Sequence, residues 1–256
     1  MTSCLPNLAH AYAALTKRLP AELEIESLAS AEVVMRHRQY WQPQQVRVVL
    51  FAESHLETSR SELLVKIDLS PYGHPTAPKE FARFVYCVGY GESEIADDLI
   101  SQNTGTWQYW RLFASCAFGV ATAAIWNSVL KGSTPDLATR IRNKLQVLTE
   151  MRRRGIWLVD SSLLAVCRPG GQRLSGKDTQ TLLQTSWDFY WRDVLKELAP
   201  RHVICIGTGV HKLLGASVAA VATDVSMIEQ PNAYLSGDLH LRNLQYCADV
   251  CNRFAP

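Results

Sequence analysis

The chain has 256 residues, 26 Lys and Arg against 24 Asp and Glu, a net charge of +2 and 47% hydrophobic side chains. That length suits one α/β domain with a substantial core, and so even a charge balance does not by itself mark a polyanion binder, which needs local clusters. The seven cysteines, at 4, 87, 116, 167, 205, 247 and 251, contain no Cys-x-x-Cys pair, so neither a zinc ribbon nor a disulfide framework is suggested. No basic-then-apolar leader is visible and no apolar run reaches membrane-spanning length, so a reducing, cytoplasmic setting without a membrane partner is expected.

Residues 1–40 read as helical, with Leu15, Leu19, Leu23 and Leu28 near helical spacing and Pro6 and Pro20 as punctuation. The first 44 residues are expected as a helical extension packed on a single domain spanning 1–256. The run Val46 to Phe51 predicts the first core strand, with Glu53-Ser54-His55 as a polar loop at its carboxyl end. Residues 63–69 are a further apolar piece, and 70–75 are too rich in turn residues for helix. Phe81, Phe84, Tyr86 and Tyr90 crowd one short stretch, which core packing explains more readily than a base-stacking platform. Residues 107–130 read as one buried helix and 135–154 as a charged amphipathic one.

Ile156 to Val159 is a buried-strand pattern ending on Asp160, followed by a loop through Arg168 and Arg173. A helix over 179–198, a strand from Val203 to Gly207, a helix starting at Gly209, a strand over 225–228 and a final helix from about Leu239 complete the chain. Alternating strands and helices predict an α/β three-layer sandwich, its central, mainly parallel sheet of four to five strands flanked by helices. Carboxyl ends of parallel strands share one crevice, so Glu53, Asp160 and the Gly207 turn are expected to meet. The basic clusters Arg36-His37-Arg38 and Arg152-Arg153-Arg154 read most simply as solvated faces.

Taken in order, these pieces resemble the uracil-DNA glycosylase superfamily over roughly residues 46–255. Leu50-Phe51-Ala52-Glu53-Ser54-His55 resembles the family's water-activating loop, Leu-Gly-Gln-Asp-Pro-Tyr. The stretch from Gly155 to Val166 is similar to Gly-Val-Leu-Leu-Leu-Asn-Thr-Val-Leu-Thr-Val, and Gln230-Pro231-Asn232-Ala233-Tyr234-Leu235-Ser236 resembles His-Pro-Ser-Pro-Leu-Ser with one residue inserted. The resemblance implies a DNA-binding, base-flipping hydrolase of N-glycosidic bonds. It would act as a monomer without cofactor, metal or iron-sulfur cluster, since the cysteine clusters of the iron-sulfur branches are missing. Glu53 stands where the family often has the Asp that activates water, or in a shifted register on the Gly-Glu-Ala-Pro pattern of other branches. Gln230 replaces the loop His that stabilises the departing base; His55 or His240 would compensate, and spacing does not decide between them.

Asp160 falls where uracil-reading enzymes carry Asn. An ionised carboxylate only accepts hydrogen bonds, which disfavours uracil O4 and suits the exocyclic amine of cytosine. The resemblance therefore implies excision of a modified cytosine, such as foreign phage DNA carries, since excising ordinary cytosine would damage the cell's own genome. Asp160, Asn232 and Phe84 would form the base pocket, Glu53, His55 and Gln230 the catalytic set, and Tyr234 or Leu235 the wedge filling the vacated stack. Arg168, Arg173, His240 and Arg242 would contact DNA. The rival readings are a non-catalytic binder of DNA or modified bases with the same fold, and a uracil-excising repair enzyme. No Gly-x-Ser-x-Gly elbow or P-loop supports a different hydrolase or nucleotide-binding protein.

Overall fold

In the computed structural model, which describes residues 7–96, 107–231 and 235–256, the chain opens with α1 (Leu8–Arg18), a short β1 (Glu24–Ile25) and α2 (Leu28–Tyr40). Asn7 and Ser27 cap the two helices by accepting from the N–H groups of Ala9 and Ser30, donors that would otherwise be orphaned. Leu15 of α1 is buried, and so are Leu19 and Leu23, but the latter two lie in the connection between α1 and β1, so the helix expected through this region is interrupted over 19–27. The strand β2 (Val48–Ala52) is buried along its whole length, the pattern of a parallel strand covered on both faces. Phe81, Phe84, Tyr86 and Tyr90 are all buried in the core and form no open platform.

Next come α3 (Trp107–Phe118), the short α4 (Ala123–Asn127) and α5 (Leu137–Arg154). The single helix expected over 107–130 is thus divided: the chain leaves α3 through Gly119 at φ +68°, where Asn252 Nδ2 donates to the Gly119 carbonyl at 2.8 Å. The remaining elements are β3 (Ile156–Asp160), β4 (Val166–Cys167), α6 (Gly176–Ser186), a π-helical turn over Trp187–Trp191, α7 (Arg192–Leu198), β5 (His202–Ile206), α8 (Thr208–Ala219), β6 (Val225–Ile228) and α9 (Gly237–Phe254).

Among the described residues the central sheet has four strands in the order β3-β2-β5-β6, every pair parallel. Helices flank it in two mutually packed groups, α3 with α5 and α9, and α1 with α6, the latter also touching α8. At the β3 edge the Leu158 N–H would face no strand; it donates instead to the Tyr86 hydroxyl at 2.7 Å. Residues 7–44 do more than cap this sheet. β1 pairs antiparallel with β4, and the Trp157 indole N–H of β3 donates to the Arg38 carbonyl of α2 at 3.0 Å, which fixes α2 under the strand tips.

Gly155 joins α5 to β3 at φ +85°, and its carbonyl accepts from Arg47 and Val48 at 2.7 and 3.1 Å. A Cβ there would lie 2.6 Å from the Gln45 carbonyl oxygen, a backbone atom held by that same pairing. Gly155→Ala is therefore expected to destabilise the fold by about 2 kcal/mol or more, strain and clash adding. Urea unfolding reads this directly, and an unchanged midpoint would refute it.

Candidate functional site

The register of β2 against β3 pairs Ala52 with Asp160, so both chains leave the sheet side by side. Ser161 N donates to the Ala52 carbonyl at 2.6 Å and Ser162 N to the Glu53 carbonyl at 2.9 Å, which fixes the Glu53 backbone while its side chain stays exposed. Gly207 ends β5, and a Cβ on it would stand 3.2 Å from Oε1 of Gln230, just past β6. The strand tips thus meet as the parallel topology requires. Tyr109, in the first turn of α3, joins them: its hydroxyl accepts from Gln230 Nε2 at 3.1 Å. Burial first, then the Asp160 carboxylate and that of Glu53, push the Tyr109 phenol well above its usual range, so all these groups share one electrostatic neighbourhood.

Behind Asp160 lies a buried chain of charges. Arg38 Nη2 donates to Asp160 Oδ2 at 2.5 Å and His55 Nδ1 to the same oxygen at 3.0 Å, while His55 Nε2 donates to Glu26 Oε1 at 2.8 Å. Glu26 also accepts from Ser30 Oγ at 2.8 Å and the Ala165 N–H at 2.7 Å. Burial alone would strip the proton from His55, but the flanking carboxylates of Glu26 and Asp160 overcome it and raise its pKa to about 9. Burial likewise disfavours the Asp160 anion, and the charges of Arg38 and His55 outweigh it, holding the carboxyl below its usual range. Two cations and two anions therefore balance almost out of contact with water, but the quartet is not fully satisfied: Nε and Nη1 of Arg38 are buried with no hydrogen-bond partner among the described residues.

Two features of this chain bear on ligand binding. The Arg38 guanidinium lies 5.0 Å from the Phe84 ring centroid and 5.7 Å from that of Trp191, a cation-π pair of contacts. Asp160 Oδ1 has no hydrogen-bond partner among the described residues, and the side chain keeps 3% of its surface open. The acceptor not used by Arg38 and His55 is thus uncommitted within the described residues.

Glu53 and Asp160 leave paired strands side by side and the Gly207 turn lies against Gln230, whereas several other residues stand differently from what the sequence predicts. His55 has a fully buried side chain clamped between Glu26 and Asp160, so it positions Asp160 and does not face a departing base. Phe84 is 2% exposed with Arg38 over its ring, which leaves no open stacking face on that side. His240 is turned inward against Trp107, ring centroids 6.2 Å apart, and burial followed by the Arg111 charge lowers its pKa. Gln230 directs its amide N–H to Tyr109. Arg168 pairs with Asp178 at 3.5 Å, Arg173 and Arg242 are exposed, and Leu235 is half-buried. Asn232 and Tyr234 lie outside the described residues.

Three members of the site carry no motif: Glu26, Arg38 and Tyr109. Arg38 did leave a signal, since Ala31, Val34, Met35 and Arg38 fall on one helical stripe whose other members are apolar. Among the described residues no group of His, Cys, Asp and Glu is placed to hold a metal ion, and no helix is long and apolar enough to cross a membrane. No family model matches the chain, and no curated protein does.

Proposed function

We propose that this chain is a DNA N-glycosylase that extrudes a modified cytosine and hydrolyses its bond to the sugar. The observation that carries the reading is the state of Asp160: an anion fixed from behind by Arg38 and His55, with Oδ1 uncommitted, in one electrostatic neighbourhood with Glu53, Tyr109 and Gln230. Such a group accepts from an exocyclic amine and repels a carbonyl oxygen. The order of motifs resembling the uracil-DNA glycosylase superfamily supports the same class of chemistry.

In this mechanism the nucleotide leaves the stack, its amine donates to Asp160 Oδ1, and the electron pair of the glycosidic bond departs with the base. Glu53 orients a water whose oxygen bonds to the anomeric carbon and takes the proton it releases. Tyr109, rather than either histidine, donates a hydrogen bond to the leaving base, its hydroxyl held in place by Gln230. Tyr109→Phe is accordingly expected to slow base release by about 10²- to 10³-fold, the scale of one lost donor to a developing anion. Single-turnover assays check this, and an unchanged rate would exclude the phenol from the mechanism.

A second reading, a non-catalytic sensor of modified DNA, is favoured by two observations: Arg38 covers the Phe84 ring, and the loop histidine position is Gln230. Incubation with DNA bearing uracil, cytosine and cytosines with progressively larger groups at C5, followed by alkali, separates the two. Strand breaks confined to a modified cytosine support the glycosylase; tight binding without breaks supports the sensor. Breaks at uracil alone would overturn the base assignment.

A further inference from the structure

The structure divides the basic run Arg152-Arg153-Arg154. Arg154 is buried, and its guanidinium donates to the carbonyls of Ala255, Cys116, Ala117 and Cys251 at 2.7 to 3.1 Å. Arg152 and Arg153 stay exposed and, with Thr149 of the same helix, line an open groove of about 790 Å³. The segment before β2 supplies the rest of the lining: Gln42, Gln44, Gln45 and Arg47. Arg47 precedes β2 and the end of α5 precedes β3, so the groove lies at the amino ends of the parallel strands. About 16 Å of strand separates it from Asp160.

Two of the three cations there are not neutralised. Arg153 is engaged by Glu150, through Nε at 2.8 Å and Nη2 at 2.6 Å. Arg152 has no ion pair among the described residues, its guanidinium lying 5.9 Å from the Tyr40 ring centroid, and Arg47 makes only a 3.4 Å bond from Nη2 to Gln45 Oε1. The carbonyl dipole at the end of α5 accounts for a cation on its last turn. It does not account for Arg47, which comes from another element and lays its stem against Gly155 at that same helix end, its Cγ 2.9 Å from where a Cβ would stand. Every side chain lining the groove is polar, and none is a carboxylate. A protein partner docks around an apolar or aromatic anchor, and the lining offers none. A nucleic-acid backbone needs only guanidinium and amide donors along an open channel.

We infer that this groove binds a DNA backbone without regard to sequence, Arg47 and Arg152 each meeting a phosphate and the glutamine amides meeting neighbouring oxygens. It is a second DNA contact, at the opposite end of the sheet from Asp160. The inference is independent of base excision, because it invokes no residue of the strand-tip site.

The test is an anisotropy titration of the full chain against short labelled DNA, single-stranded and duplex, over a series of salt concentrations. The DNA is unmodified, which keeps base recognition out of the measurement. Saturable binding at low salt that weakens as salt rises is expected. Arg47→Gln combined with Arg152→Gln should weaken it at least fivefold and flatten the log–log salt slope by about 1.5, the loss of two phosphate contacts. Arg47→Lys combined with Arg152→Lys keeps both charges and should keep the slope. Lys17→Gln combined with Lys79→Gln removes two exposed charges outside the groove and should leave affinity and slope as in wild type. Melting temperatures establish that each variant is folded. No binding by the wild type, an equal loss in the Lys17 and Lys79 variant, or displacement of the DNA by polyglutamate of matched length would overturn the inference. Strand breaks at modified cytosine are scored separately. Groove-dependent binding without breaks therefore counts against excision alone, and breaks without any contribution from the two arginines count against the groove alone.

Discussion

Under the proposed glycosylase mechanism, Glu53→Gln is expected to lower base release by about 10²- to 10⁴-fold, the scale for removing a general base. Stability should stay within about 0.5 kcal/mol, because the side chain is exposed at the β2 tip and only its backbone is engaged. Gln keeps the length and hydrogen-bonding reach of Glu but cannot accept the proton of an attacking water, so binding to modified-cytosine DNA should survive the change. Alkali-labile sites counted over a single turnover give the rate, and a fluorescence anisotropy titration gives the affinity. A variant that cleaves at the wild-type rate would remove Glu53 from the chemistry. One that loses binding and cleavage together would recast Glu53 as a contact to DNA or substrate.

The parts of this arrangement carried by short, strongly apolar runs were readable before any coordinates. Val48 to Phe51, Ile156 to Val159 and Val203 to Ile206 each announce a buried strand, and a parallel sheet then brings the residues after them together, which is how Glu53 and Asp160 come to be neighbours. What escaped sequence reasoning depends on contacts across long separations. Arg38 sits in a run of three basic residues that reads as a wet helix face, yet it meets Asp160 122 positions away. Tyr109 belongs to an aromatic helix whose evenness suggests only core packing, and nothing local shows that its hydroxyl reaches Gln230. His55 was legible as a site residue because of its loop; that its ring turns inward toward Glu26 was not, because that carboxylate comes from the extension preceding the sheet.

The buried quartet should leave a distinctive pH signature on stability. The folded pKa of His55, about 9, lies above the ordinary value of 6.5, so its contribution is fully present below pH 6.5 and is lost as pH rises toward 9. That span corresponds to a contribution on the order of 3 kcal/mol. Glu26 and Asp160 are shifted down, so theirs is present above the ordinary carboxylate range and fades in acid. Urea unfolding at successive pH values should therefore show a decline between pH 6.5 and 9 that His55→Gln flattens. Asp160→Asn should cost about 3–5 kcal/mol near neutrality, because it leaves Arg38 and His55 buried without their shared anion. A flat wild-type curve across that window would mean a His55 that is neutral in the fold and donates to only one of its two carboxylate partners. Under the proposed function the same protonation would set recognition: while Arg38 and His55 both donate to Oδ2, Asp160 stays ionised and Oδ1 can only accept. Discrimination for an amine-bearing base over a carbonyl-bearing one should accordingly persist to pH 9, even as the fold that supports it weakens.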